Sequence, residues 1–431
     1  MEFTIVLAIF LFLVPFLLAT PIFSCFVLAS FVILIFTANM PGMTIALQAV
    51  SSIHSFTLVA IPFFILLGYI MVESKAIAAL FDLVRGFIGS FRAGLGMAVI
   101  SGSALFGTMC GSGVATAVAM SSAAGPELIK SGYSKERAAA IVGSAGCLGF
   151  MIPPSVVGVI LAEVTQTSVA DIFAAIVLPG ILIMIIECIA CYFTCRNLKE
   201  IQIEPKSTWK EKLYNIYHAA PAFLIPLVLF FVIYGGVATP TEAAGVACAA
   251  AIIVGFVFYR KLTWAGLMKA LKQTVLSSST IFCIVFGAVM FGRALAVLGL
   301  PQTIASWALQ ASLGPVLFLF AFCVVFIILG CFLDIFALLY ICLPPVLPAI
   351  AALGIDPIHF GVVFLVACFA GQLTPPVCIT LYAAMPPVGA QVAPTIRLAM
   401  PYLGAVTVSL ILVVLFPKIS LFLVEIVRLL R

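Results

Sequence analysis

Six glycines and prolines of this chain return at one fixed offset. Pro126, Gly132, Gly149, Pro153, Pro154 and Pro179 are echoed as Pro348, Gly354, Gly371, Pro375, Pro376 and Pro401, each pair 222 positions apart. These two residue types constrain backbone shape most strongly, so a shared spacing implies one structural unit used twice. The unit lies in lipid. Of 431 residues, 65% are hydrophobic and only 8% charged, with a mean hydropathy of +1.34, against about 25% charged in a soluble domain. Helices broken at matching positions in two halves of a membrane chain point to a transporter with its site at the repeat interface.

The chain has room for about ten spans of ~20 residues. The stretch from Phe3 to Ala19 lacks a basic leader and a small-residue cleavage site, so it reads as a retained span. The 13 cysteines sit mostly in apolar stretches without disulfide or zinc spacing, and read as small packing residues. Fifteen of the 20 Lys and Arg residues fall in four clusters, Lys75–Arg92, Lys130–Arg137, Arg196–Lys212 and Arg260–Lys272. The positive-inside rule places all four on the cytoplasmic side, so the net charge of +5 serves topology and calls for no nucleic acid.

This charge pattern predicts spans near 3–19, 21–38 and 54–72, a re-entrant hairpin over 94–129, and spans near 136–165 and 171–195. The second half repeats the plan with spans near 217–236, 241–259 and 275–299, a hairpin over 314–352, and spans near 357–384 and 395–416. Five crossings per half invert the second copy relative to the first. One feature disagrees: Lys418, Arg428 and Arg431 lie in a tail that this plan puts outside. The expected division is 1–93, scaffold helices of the first repeat; 94–170, its hairpin and broken helix; 171–216, its last span and a cytoplasmic loop; 217–313, scaffold helices of the second repeat; 314–394, its hairpin and broken helix; and 395–431, the last span and tail. Thr239-Pro240-Thr241-Glu242 reads as a capping box, and Ser134 and Asp356 as N-caps at equivalent repeat positions. Trp264 to Gln273 suggests an amphipathic helix along the interface, with an ordinary loop as the alternative.

Four constellations carry the chemistry. Gly107-Thr108-Met109-Cys110-Gly111-Ser112-Gly113 forms the tip of the first hairpin. Such glycine-rich backbone exposes carbonyls that suit sodium where it is buried, or serves close helix packing. Gly146 to Ser155, with Pro153-Pro154, interrupts the next span, and Gly371-Gln372-Leu373-Thr374-Pro375-Pro376 is its partner; prolines remove amide donors and free carbonyls a turn earlier. Asp334, in Gly330-Cys331-Phe332-Leu333-Asp334, holds the repeat position of Ser112. An acid at membrane depth is functional by default, as a cation ligand beside Thr374, or else it caps a helix. Arg293, in an otherwise apolar span, binds an anionic solute group, snorkels or pairs with an acid. Glu163 and Glu187 are weaker candidates, the second expected to pack or pair. Metalloprotease, nucleophile-elbow and phosphate-loop motifs are missing, and one intramembrane Asp without a partner acid argues against an aspartyl protease. The chain reads as no enzyme.

Gly111-Ser112-Gly113-Val114-Ala115-Thr116, Gly132-Tyr133, Ile152-Pro153-Pro154-Ser155, Thr239-Pro240-Thr241-Glu242, Gly354-Ile355-Asp356-Pro357-Ile358-His359-Phe360-Gly361 and Thr374-Pro375-Pro376 together resemble the large membrane subunit of tripartite ATP-independent periplasmic (TRAP) transporters. The resemblance covers nearly the whole chain. It implies an all-α, inverted-repeat elevator-type carrier with two re-entrant hairpins and two broken helices, in the bacterial inner membrane. The expected activity is sodium-coupled import of a small organic acid anion. The expected partners are a periplasmic substrate-binding protein and a small four-span membrane subunit on a separate chain. The family's cation ligands map onto Ser112, the Gly149 region, Asp334 and Thr374. The expected sodium set is then Ser112, Gly146, Gly149, Gly330, Asp334, Gly371 and Thr374. The expected solute set is Arg293, Ser112, Gly113, Pro154, Ser155 and Pro376. The chain departs from the family pattern at Gly113, where many relatives carry Ser, and at Cys378, where they carry Gly. Three alternatives stand beside this reading: a sodium–anion symporter that needs no binding protein, a passive pore, and a membrane scaffold.

Overall fold

The computed structural model describes residues 2–18, 20–52, 54–310 and 314–430. Position 19, the end of the expected first span, and the expected boundary at 313 fall outside the described residues. The first half runs α1 (Glu2–Leu17), α2 (Ile22–Phe36), α3 (Gly42–Ser52), α4 (Ala60–Glu73), α5 (Ala76–Ile88), α6 (Gly94–Cys110), α7 (Gly113–Lys130), α8 (Lys135–Gly146), α9 (Leu148–Met151), α10 (Val156–Thr165) and α11 (Val169–Cys195). The second runs α12 (Trp209–Tyr234), α13 (Pro240–Ile253), α14 (Trp264–Val297), α15 (Leu300–Gln310), α16 (Pro315–Gly330), α17 (Ile335–Ala352), α18 (Pro357–Leu373), α19 (Ile379–Val388) and α20 (Val392–Leu415), followed by α21 (Lys418–Leu430).

The duplication reaches further than the glycines and prolines that announce it. Gly113 and Ile335 open α7 and α17, and Lys130 and Ala352 close them, each 222 apart; Lys135 and Pro357 open α8 and α18 at the same offset. Ile88 and Gln310, at the ends of α5 and α15, keep it as well. The two copies interlock. The second half of the first broken helix, α10, packs on α17 and α18, and its counterpart α19 packs on α7 and α8. Each hairpin is thus held by the other repeat, and both tips are brought to one place.

Local chemistry accounts for the element ends. Thr208 with Glu211, and Thr239 with Glu242, form capping boxes at the starts of α12 and α13, each satisfying two orphan donors. Ser134 accepts from Arg137 N at 3.2 Å, and Asp356 from Ile358 N at 2.7 Å, as the sequence predicts. The repeats differ in one helix. Gly42, opening α3, lies 222 before Trp264, so α14 corresponds to α3 and α4 together. In the first repeat Ser51 donates to Gln48 O at 2.9 Å, a local bond that competes with helix continuation. In the second, no breaker separates Gln273 from Ser277, and α14 runs unbroken for 34 residues, about 51 Å. The separate interfacial helix expected over Trp264–Gln273 is therefore the first third of α14, tied to α4 by the Lys269–Glu73 ion pair at 2.7 Å.

Among the described residues, six helices are long and apolar enough to cross a membrane, or eight if each of two bent pairs counts as one span. That is fewer than the ten expected, because α1, α2 and α18 count among the shorter apolar helices, while α17, an arm of the second expected hairpin, is counted with the long ones. One bent pair, Lys135–Met151 with Val156–Thr165, turns by 47° at Pro153-Pro154 as the sequence predicts. The other, Thr57–Glu73 with Ala76–Ile88, turns by 73° and carries no proline signal at its break. The disputed tail becomes α21, which packs on α11 and α18. Arg428 donates two hydrogen bonds to Asp171, at 3.0 and 2.8 Å. The tail therefore sits at the Asp171 end of α11, the end the charge pattern assigns to the outside, and its misplaced positive charge is met by an acid.

Candidate functional site

Both hairpins break where the sequence places a helix start inside an apolar run. At the first, Gly111 adopts φ +61° and Ser112 is extended, its side chain capping α7. Glycine supplies the left-handed turn that a side chain resists. At the second, Asp334 caps α17, accepting from Phe336 N at 3.0 Å. These caps are the repeat-related pair Ser112 and Asp334, so two helix N-termini, each a region of positive potential, arrive from opposite repeats at one cavity.

That cavity has a volume of about 300 Å³. Ser112 and Gly113 line it from the first tip, Asp334 and Ile335 from the second, Gln372 from α18, and Ser277 and Thr280 from α14. A smaller hollow of about 60 Å³ adjoins it behind Ser112 and Ser277, where Tyr69 Oη and Ser277 Oγ lie 2.9 Å apart. Among the described lining residues of both spaces, Asp334 is the one charged side chain, and neither Lys nor Arg contributes.

Around the first tip the backbone is packed to contact. A Cβ on Gly149 would fall 2.3 Å from Thr116 Oγ1 and 2.9 Å from Ser112 O, and one on Gly146 would fall 3.0 Å from Gly113 O. Ser112, Gly113, Gly146 and Gly149 therefore form one nest of carbonyls and hydroxyls. Thr116 Oγ1, within it, is buried, and its one polar side-chain neighbour among the described residues is the weakly bonding Cys110 thiol. Around the second tip, a Cβ on Gly371 would fall 2.9 Å from Gly330 Cα. Thr374 there donates to Ala370 O at 2.7 Å. A hard cation is held by such oxygens, which is the donor chemistry the expected sodium would need. Both proline pairs have a cis bond, at Pro153-Pro154 and Pro375-Pro376.

Four expected solute contacts stand outside the cavity lining. Ser155 is spent on local structure, donating to Phe150 O at 2.7 Å and accepting from Gly158 N at 3.3 Å. Pro154 is buried behind it, and Pro376 is exposed away from the cavity. Arg293 donates to Gln48 on α3; it lies nine residues beyond Ile284, the last α14 residue on the cavity wall, or about 13 Å along the helix. Glu187, expected to pack or pair, is fully buried, and neither carboxylate oxygen has a partner among the described residues. The sequence reading missed Thr116, Gln372, Ser277 and Thr280. The signal for the last two is the run Ser277-Ser278-Ser279-Thr280 inside an apolar span.

The profile of the family described as "Tripartite ATP-independent periplasmic transporter, DctM component" matches residues 9–419. The chain is 34% identical, over 88% of each sequence, to the C4-dicarboxylate TRAP transporter large permease protein DctM of Pseudomonas aeruginosa. It is 32% identical, over 93% of each, to the sialic acid TRAP transporter large permease protein SiaM of Vibrio cholerae. The YdaH transporter of Alcanivorax borkumensis shares the fold with a TM-score of 0.64 at 16% identity, covering 93% of this chain and 97% of its own.

Proposed function

We propose a sodium-coupled import reaction, starting from the fact that this chain belongs to the DctM component family of tripartite ATP-independent periplasmic transporters. It is a multi-pass large permease of that family. Its cargo, in this reading, is a small organic acid anion, consistent with the dicarboxylate and sialic acid named for two relatives. A periplasmic substrate-binding protein delivers the solute, and a small four-span subunit on a separate chain braces the scaffold in the bacterial inner membrane.

The observation that carries the coupling is the charge of the cavity. Two hairpin tips converge on a space whose one charged lining residue is an acid. A carboxylate entering beside Asp334 would be repelled until positive charge arrives. Two helix N-termini supply part of it, and sodium ions at the nests by Ser112 and Asp334 supply the rest. Cation binding therefore comes first and completes the anion site. One sodium entering down ~100 mV and a tenfold gradient supplies about 2.3 plus about 1.4 kcal/mol. Two supply roughly 7 kcal/mol, above the ~2.3 kcal/mol cost of importing one negative charge. The hairpins and broken helices, which interlock across the repeats, move as a block against the remaining helices.

The test is uptake of a labelled C4-dicarboxylate, and separately of sialic acid, by proteoliposomes holding the chain, its small subunit and an added binding protein. Accumulation should require an inward sodium gradient. Uptake that persists without sodium and follows a proton gradient overturns the reading.

A further inference from the structure

A second cavity, of about 480 Å³, lies at the basic end of α11, far along the chain from the hairpin tips. Arg92, from the turn between α5 and α6, meets Arg196, Asn197 and Lys199, from the loop after α11. No carboxylate lines this space. Glu127 and Glu204 are engaged by Arg85, Glu200 follows Lys199 in the loop, and among the described residues no ion pair joins a carboxylate to Arg92, Arg196 or Lys199. The Arg196 guanidinium lies 4.8 Å from the Phe193 ring, which holds it at the rim with its donors free of any carboxylate.

One face of the same helix is apolar. Ile181, Ile185, Ile189 and Phe193 are exposed on α11 at intervals of four, one helix stripe that leads along the span to Arg196. A ligand matching both parts carries a phosphate at one end and hydrocarbon at the other. We infer that this is a binding site for an anionic phospholipid, with its headgroup phosphate between Arg92, Arg196 and Lys199 and its acyl chains along α11. Basic pockets at the cytoplasmic ends of membrane helices recognise such headgroups. The inference is independent of the transport reading, since it uses none of the residues at the hairpin tips.

The test compares the full chain in phosphatidylcholine nanodiscs with and without phosphatidylglycerol, and with sodium phosphate added to discs lacking it. Phosphatidylglycerol should raise the unfolding temperature and persist as a bound adduct in native mass spectra. The Arg92→Gln, Arg196→Gln, Lys199→Gln triple variant should lose both, with lipid affinity falling roughly fivefold per cation removed. All three positions are exposed, and the corresponding Arg92→Lys, Arg196→Lys double variant, which keeps the charge, should retain the adduct. Ile189→Ser with Phe193→Ser should weaken it with the cations intact. A triple variant that keeps the wild-type adduct overturns the proposal. So does an equal thermal shift from inorganic phosphate alone, which would mark a soluble-anion site.

Discussion

Asp334 does two things, and they can be separated. Its carboxylate caps α17 through Phe336 N and also lines the cavity. Asparagine keeps a capping oxygen but removes the charge. Asp334→Asn should therefore leave expression and folding intact while raising the half-saturating sodium concentration for uptake tenfold or more, equivalent to about 1.4 kcal/mol; unchanged sodium dependence would remove Asp334 from the coupling site. Thr116 offers the complementary case. Thr116→Val deletes a buried hydroxyl whose one polar side-chain neighbour among the described residues is the weakly bonding Cys110 thiol, which should cost the sodium-free protein little. If that hydroxyl completes the nest beside Gly149, the thermal stabilisation by sodium should weaken, and an unaltered sodium titration would count against it. Glu187 is the outlier, a buried carboxyl without a partner among the described residues. Such a group costs free energy that an apolar residue does not. Glu187→Leu should raise the unfolding temperature by several degrees; a fall would show that the carboxyl is matched by something bound during function. At this scale the sequence exposed Asp334 through cost alone, since an acid in an apolar run needs a reason. Thr116 stayed hidden, because a threonine in a helix is unremarkable until its surroundings are known.

Caps and breakers govern the elements. The turns at Gly111, at Pro153-Pro154 and at the Thr239 capping box are fixed by residues within a few positions, and each was legible for that reason. Thr239→Ala removes one half of the α13 box and should lower stability by about 1 kcal/mol, read as a drop in unfolding temperature, with Thr239→Ser restoring it. Cys378 shows the reverse case. It adopts φ 42°, a region that glycine favours, which agrees with the glycine the family resemblance leads one to expect there. The fate of α14 was less legible. The same stretch is broken into α3 and α4 in one repeat and continuous in the other. A polar segment such as Trp264–Gln273 reads alike whether it lies on an interface or extends a span, and only its packing against α4 tells them apart.

The whole molecule is two copies of one unit, each holding the other's hairpin. If hairpins and broken helices travel as a block, they must slide past α14, whose Ser277 lies on the cavity wall with Ser112. A disulfide between Ser112→Cys and Ser277→Cys, in a background depleted of the native cysteines, should arrest uptake and release it on reduction. Uptake that continues in the cross-linked protein would mean that these elements move together. The duplicated glycines and prolines already determined that there are two broken helices, because backbone stereochemistry acts over a few residues and is written where it acts, and the basic clusters pointed to the two hairpins between them. The membrane setting followed from composition for a similar reason, since burying a backbone in lipid leaves few alternatives. Which side chains face the solute was decided elsewhere. Gln372, Ser277 and Thr280 reach the cavity, while Arg293 turns to Gln48 and Ser155 to its own loop. Those outcomes depend on how each helix is rotated and where it crosses its neighbours, and that is set by packing among segments hundreds of residues apart.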